Sequence, residues 1–250
     1  MSILLPEGYQ LLFKHTVDST NTELKRLMQH GAPEHTVLCA IEQSAGRGRH
    51  GRSWESLNGN LFCSWSVRIK RENYAVISRH LPYIVGLALC RTLPQCLDIV
   101  TKWPNDILIG DKKIAGILME ARMSGKYYNV VIGTGVNTQH FPWIDEVACT
   151  SLVKEGMPME NSIVLSTLLH AFEAIYTHYS TSGFEPVRDA WLSYCNHIPG
   201  NGAITCNGEL HKGTYKTISP DGSLVFQTDT EELTVTSGEV FPEHSALCYS

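Results

Sequence analysis

The stretch QSAGRGRHGRSW, residues 43 to 54, concentrates most of the chain's oxyanion chemistry: Arg47, Arg49 and Arg52 alternate with Gly46, Gly48 and Gly51. A guanidinium is a planar fork of donors that pairs bidentately with carboxylate or phosphate oxygens. Three of them on a glycine-loosened loop make a cationic cover for an oxyanion. The same letters satisfy G-x-G-x-x-G and nearly satisfy G-x-x-x-x-G-K-[ST], the two glycine patterns that cradle phosphates. Both patterns need a helix opening directly after the loop, so that its free amides face the anion. Here Asn58-Gly59-Asn60 signals a turn, and LFCSWSVRI then alternates Leu61, Cys63, Trp65 and Val67 as a strand does. The dinucleotide and P-loop readings therefore fail, and with them Glu72 as a ribose contact. A strand-loop-strand hairpin remains, which by itself fits a phosphate lid, a solvated basic tip or a contact to RNA backbone. The eleven histidines are scattered, with no H-E-x-x-H or G-x-S-x-G string, so no metal site or serine-hydrolase site is indicated.

The elements around this loop follow from periodicity. TVLCAIEQ reads as a buried strand leading into it. DSTNTELKRLMQHG reads as a helix with a Thr20–Glu23 capping box and a His30-Gly31 stop. ISRHLPYIVGLALCRTL reads as a buried helix with Pro82 near its first turns. IVTKWPNDILIGDKKIAGILMEAR reads as strand, break, strand, tight turn, strand, and YYNVVIGTGVN as one more strand. Two helices, NSIVLSTLLHAFEAIYTHY and EPVRDAWLSYC, follow with apolar residues three and four apart. From about His197 the chain turns Gly-, Thr- and Val-rich, with turns at CNGE, SPDGS and TSGE. The expected fold class is α+β: a mixed or antiparallel sheet flanked by helices, residues 1–196, with a small C-terminal SH3-like β-barrel, residues 197–250.

Composition sets outer bounds. The 250 residues are 43% hydrophobic and 18% charged, ordinary for a chain with a sizeable core. A formal net charge of -5 argues against general attraction to nucleic acid and confines any basic site to a local patch. Eight cysteines form no C-x-x-C pair and mostly sit in apolar runs, as buried reduced thiols of a cytoplasmic protein do. No apolar run approaches the roughly 18 residues of a membrane span, and the N-terminus lacks a signal-peptide pattern.

Four segments in order, DSTN (18–21), GRGRHGRSW (46–54), KWPNDIL (102–108) and KKIAGILME (112–120), followed by VIGTGVN and a β module closing in GEV, resemble the biotin protein ligases over nearly the whole chain. The resemblance implies adenylation of biotin by ATP, with Mg2+ carried on the nucleotide, then transfer of the biotinyl group to a lysine of a biotin carboxyl carrier protein. It implies Lys113 and Arg49 as catalytic residues, the first between biotin carboxylate and α-phosphate, the second on the adenylate phosphate. Ser19, Thr20 and Gln43 would hold the ureido ring, Arg47 would help to close the loop, and Gly116, Gly133 and Gly135 would let backbone approach the ligand. Arg52, Trp54, Asn105 and Asn137 would face the nucleotide. Lys112 is expected to be an exposed neighbour of Lys113 on the same hairpin. One departure is plain: many members carry a basic residue shortly after GEV, where this chain reads GEVFPEHS with Glu243.

Two other functions compete. A lipoate or octanoate ligase or transferase would share the fold and the lysine, but by resemblance it lacks the arginine loop and needs a deep apolar slot. A nucleic-acid-binding module built on the arginine hairpin is opposed by the acidic balance and by the lack of interleaved aromatics. With 17 residues ahead of DSTN, the expectation is a ligase without a helix-turn-helix domain and without a DNA partner. A homodimer is compatible with the sequence.

Overall fold

The computed structural model describes residues 3–144 and 147–243. A seven-stranded sheet is ordered β1-β2-β3-β7-β6-β5-β4. It comprises β1 (Gln10–Val17), β2 (Thr36–Gln43), β3 (Leu61–Lys70), β4 (Ile99–Lys102), β5 (Asp106–Ile109), β6 (Lys112–Ser124) and β7 (Tyr127–Val136). β1 and β2 run parallel, joined by helix α1 (Thr20–Gln29), and every other pair is antiparallel. The mixed sheet expected from the hairpins is thus observed. Strand β1 is an addition: its largely exposed edge position leaves no apolar alternation to read.

The period of two sorts side chains to two faces. Leu61, Cys63, Trp65, Val67 and Ile69 of β3 join the main core under α2 (Tyr74–Thr92), α3 (Asn161–Ser182) and α4 (Glu185–Leu192). On the opposite face Leu38 and Val131 pack with Leu24 of α1, and Ser64 meets the start of that helix. The smaller face is where polar side chains and glycines gather.

Two local expectations need correction. The cap of α1 is Ser19, with no side-chain capping bond, and no Thr20–Glu23 box forms. The Thr20 hydroxyl is used across the sheet, donating to Gln43 Oε1 and meeting the Ser64 hydroxyl. Helix α2 begins at Tyr74, so Pro82 lies in its interior rather than near its first turns. Of the cysteines, Cys39, Cys63, Cys90 and Cys206 are buried, but Cys96 is exposed; Cys248 lies outside the described residues.

The C-terminal residues form a five-stranded antiparallel sheet ordered β11-β10-β9-β8-β12, from β8 (Gly200–Cys206) and β9 (Glu209–Ile218) through β10 (Leu224–Gln227), β11 (Glu232–Val235) and β12 (Glu239–Pro242). Its apolar residues Ile204, Tyr215, Leu224 and Phe226 belong to the same cluster as the helical layer. The β9–β10 turn grips α2: Tyr83 donates to the Gly222 carbonyl at 2.7 Å, Arg79 pairs with Asp221 at 2.8 Å, and Trp103 Nε1 donates to Tyr83 at 2.9 Å. Through these contacts the sheet's β11–β12 turn is brought against the arginine loop.

Candidate active site

A cavity of about 490 Å³ opens on the α1 face of the large sheet, and all thirteen site residues expected from the sequence line it. Its floor comes from register. Gly116 of β6 sits opposite Gly135 of β7, and Leu118 opposite Gly133, which in turn faces Ser64 of β3. No side chain rises from the Gly116–Gly135 pair, so the indole of Trp54 lies directly on backbone there. A Cβ at Gly116 would come 2.8 Å from that ring, one at Gly135 would collide with it, and one at Gly133 would collide with Asn21 Oδ1. The close approach that the glycines permit is made by Trp54 and Asn21. Trp54 Nε1 is buried and has no hydrogen-bond partner among the described residues.

One end of the cavity is polar and uncharged at its inner surface. Gln43 Oε1 accepts from the Thr20 amide at 2.9 Å and from its hydroxyl at 3.2 Å, and Gln43 Nε2 donates to Ser56 at 3.1 Å. Ser64 Oγ lies 2.7 Å from the Thr20 hydroxyl and 2.6 Å from Asn21 Oδ1, so its single proton can be donated to either. Asn21 passes the chain on to Leu118 O and Glu120. Burial raises the Glu120 pKa, but hydrogen bonds from Lys25 and Asn21 and the charges of Lys25 and Arg47 outweigh it and hold the group below the usual carboxylate range. Asn21, Ser64 and Glu120 were not expected from the sequence. Their signal lies in contacts some 40 to 100 residues apart along the chain.

The three arginines of the loop differ in partners. Arg47 pairs with Glu120 at 2.7 Å and bonds Thr22. Arg52 forms a two-pronged pair with Glu239, both arms 2.9 Å. Arg49 instead donates, among the described residues, to neutral acceptors: Asn105 Oδ1 at 3.1 Å, Ser237 Oγ at 3.0 Å and the Gly238 carbonyl at 3.3 Å. Its pKa is lowered by burial, against the opposing pull of Asp106. A partly buried guanidinium without a carboxylate partner is a place where an anion is stabilised. Asn105, for its part, is oriented by donating to the Ile117 carbonyl. Asn137 is buried, with its amide oxygen toward Asn60.

Lys113 enters the cavity because β6 is irregular. Opposite β5, Leu108 pairs with Lys113 but Ile107 pairs with Ala115, so Ile114 is an extra residue. Ile114, Ala115 and Ile117 all face the main core, and the phase reset turns Lys113 to the other face. There its ammonium lies 2.8 Å from Asp106 and 5.4 Å above the Trp54 ring. Lys112 behaves as expected, half exposed and 3.7 Å from Glu155. A further lysine, Lys102 at the end of β4, also lines the cavity with no ion-pair partner among the described residues. Burial lowers its pKa, and the nearby charges of Asp106 and Glu239 pull the other way. Among the described residues the cavity thus carries Arg49 and Lys102 as cations without carboxylate partners, and Lys113 shared with one carboxylate.

A second cavity of about 860 Å³ meets the first at Lys102, Asp106, Lys113 and Cys149. His197 lines it, buried beside Cys195 at 3.3 Å; burial and the charge of Lys102 push its pKa down to about 4. Among the described residues no group of three or more His, Cys, Asp or Glu is placed to hold a metal ion. Among the same residues no helix is long and apolar enough to cross a membrane.

Residues 12–137 match the Biotin/lipoate A/B protein ligase family. The Bifunctional ligase/repressor BirA of Bacillus subtilis is 32% identical over 232 residues, covering 89% of this chain and 70% of the relative. The Biotin–[acetyl-CoA-carboxylase] ligase of Paracoccus denitrificans is 31% identical over 237 residues, covering 90% of this chain and 97% of the relative. Among solved structures, a biotin protein ligase from Aquifex aeolicus in complex with biotin and ATP superposes with a TM-score of 0.78 at 24% identity, covering 93% of this chain and 97% of that one.

Proposed function

The chain belongs to the Biotin/lipoate A/B protein ligase family, and from that premise we propose that it is a biotin–[biotin carboxyl carrier protein] ligase. It joins biotin to ATP as biotinyl-5'-AMP with release of pyrophosphate, then passes the biotinyl group to a carrier lysine with release of AMP. Mg2+ arrives with the nucleotide as part of the substrate. The observation that carries this reading is the sorting of the cavity: neutral donors and acceptors at one end, cations lacking carboxylate partners in the middle, and an aromatic floor with an unpartnered indole N–H. A ureido ring needs hydrogen-bonding groups of both kinds without net charge, which Ser19, Thr20 and Gln43 supply. A lipoyl dithiolane ring offers those groups no hydrogen-bonding partner, so they would stay bonded only to one another and their neighbours and would not select it.

In the first step biotin carboxylate attacks the α-phosphorus in line and pyrophosphate departs. Two anions must approach, so Lys113 between them lowers their repulsion and stabilises charge in the transition state. Arg49 takes a phosphoryl oxygen of the adenylate, Arg47 draws the loop over biotin, and Gly116 and Gly133 keep the floor low enough for the ligand. Trp54, Asn105, Asn137 and Arg52 serve the nucleotide, Arg52 once it exchanges Glu239 for ligand oxygens. In the second step the carrier amine attacks the acyl carbon and AMP leaves; the second cavity, which opens at Lys113, is its approach.

The proposal extends to a catalytic unit over residues 1–196 with a β module over 197–250, to a cytoplasmic setting and to the absence of a DNA partner. The net charge of -5 and the turning of the basic loop into the cavity support the last. Pyrophosphate release from ATP, measured with biotin, with lipoate and with neither, tests the function. Release that depends on biotin alone is expected; release driven equally by lipoate would overturn the substrate assignment.

A further inference from the structure

Among the described residues Arg49 is the one loop arginine without a carboxylate partner, and two of its three acceptors come from the β11–β12 turn of the C-terminal sheet, 188 and 189 residues away. Ser237 Oγ takes one terminal nitrogen at 3.0 Å; the Gly238 carbonyl and Asn105 Oδ1 share the other at 3.3 and 3.1 Å. A guanidinium on a long side chain loses much rotamer freedom when it grips a phosphate, and acceptors that hold it beforehand reduce that loss. Neutral acceptors do this without cancelling the charge. The contrast is local, since Arg52, three residues on, is held by the Glu239 carboxylate at the start of β12 and is neutralised by it.

We propose that Ser237 is a positioning residue for adenylate formation and retention, acting through Arg49 by fixing its guanidinium with a neutral oxygen. The C-terminal sheet thereby serves the reaction without contributing a charge of its own to the phosphate. Ser237 does not line the cavity and is solvent-exposed, so its side chain has no core to support. The inference rests on the reading of the cavity as a biotin adenylation site.

The test compares Ser237→Ala, Ser237→Thr and Ser237→Asp with the unaltered protein, following adenylate formation in a single turnover and adenylate escape by labelling of a bystander protein. Losing one solvent-exposed hydrogen bond of the three that hold Arg49 is expected to raise escape by about three- to tenfold in Ser237→Ala, the range of an ordinary net hydrogen bond. Biotin affinity without ATP stays unchanged. Ser237→Thr, which keeps the hydroxyl, behaves as the unaltered protein does. Ser237→Asp keeps Arg49 in place but neutralises it, and is expected to slow adenylate formation more than the alanine variant. In an Arg49→Gly background, Ser237→Ala adds nothing, an outcome that a merely structural serine would not produce. Escape from Ser237→Ala equal to that of the unaltered protein, or a full additive effect on Arg49→Gly, overturns the inference. If the unaltered protein releases no pyrophosphate in response to biotin, the underlying reading fails instead.

Discussion

Replacing Lys113 by alanine removes an ammonium that lies 2.8 Å from Asp106 at the meeting point of the two cavities. The cost to folding is small, because the pair is about a quarter exposed on both sides, at 23% and 25%, and such pairs contribute about 0–1 kcal/mol. The cost to chemistry is larger. A unit charge about 4 Å from an anion is worth about 4 kcal/mol at an effective dielectric near 20, and removing one preorganised donor from a reacting oxyanion typically costs about 100- to 1000-fold in rate. Asp106 adds to the deficit, since without Lys113 its carboxylate repels the incoming biotin carboxylate and phosphates. Single-turnover adenylate formation in Lys113→Ala is therefore expected to slow by at least about 100-fold, with the melting temperature nearly unchanged. The double variant Lys113→Ala/Asp106→Asn is expected to be faster than Lys113→Ala, because it removes the orphaned charge. A single-variant rate within about threefold of the unaltered protein, or a double variant slower than the single, would refute the electrostatic argument.

Arg49→Gly is expected to bind biotin but leak adenylate, because the phosphate loses its charge-assisted partner; mass spectrometry of a bystander protein should show more biotinylated lysines than with the unaltered enzyme, and equal labelling would sink the assignment. Gly133→Ala drives a Cβ into Asn21, which is buried and already bonded to Ser64, Leu118 and Glu120. Denaturant unfolding should report a loss of about 1–3 kcal/mol, and calorimetry a weaker biotin site; unchanged biotin affinity would contradict the floor described above. His197 has its pKa depressed from 6.5 to about 4, so the unfolded chain binds the proton first on acidification. The stability it contributes is complete above about pH 6.5 and is lost as pH falls toward about 4, an order of 3 kcal/mol for a shift of this size. Unfolding curves across that window should flatten in His197→Phe, and an undiminished slope would point to other groups.

Local sequence was enough to establish the hairpin nature of the arginine loop. Asn58-Gly59-Asn60 and the alternation after it exclude a helix wherever they fold, because they are local signals of turn and strand. It also determined the order of the four segments around the site, and each of the expected residues lines one cavity. Strand β1 escaped, because an exposed edge strand has no buried face to write a pattern. What tertiary structure decided was direction and partnership. Strict alternation along β6 puts Gly116 on the site face and Lys113 on the core face. The extra residue at Ile114 reverses that, and it is visible only in the pairing with β5. Three arginines with one composition became different groups, because Glu120 and Glu239 neutralise Arg47 and Arg52 while Asn105 and Ser237 leave Arg49 charged. Those partners lie from 56 to 188 residues away along the chain. No local pattern encodes a charge balance that forms only when distant segments are folded together.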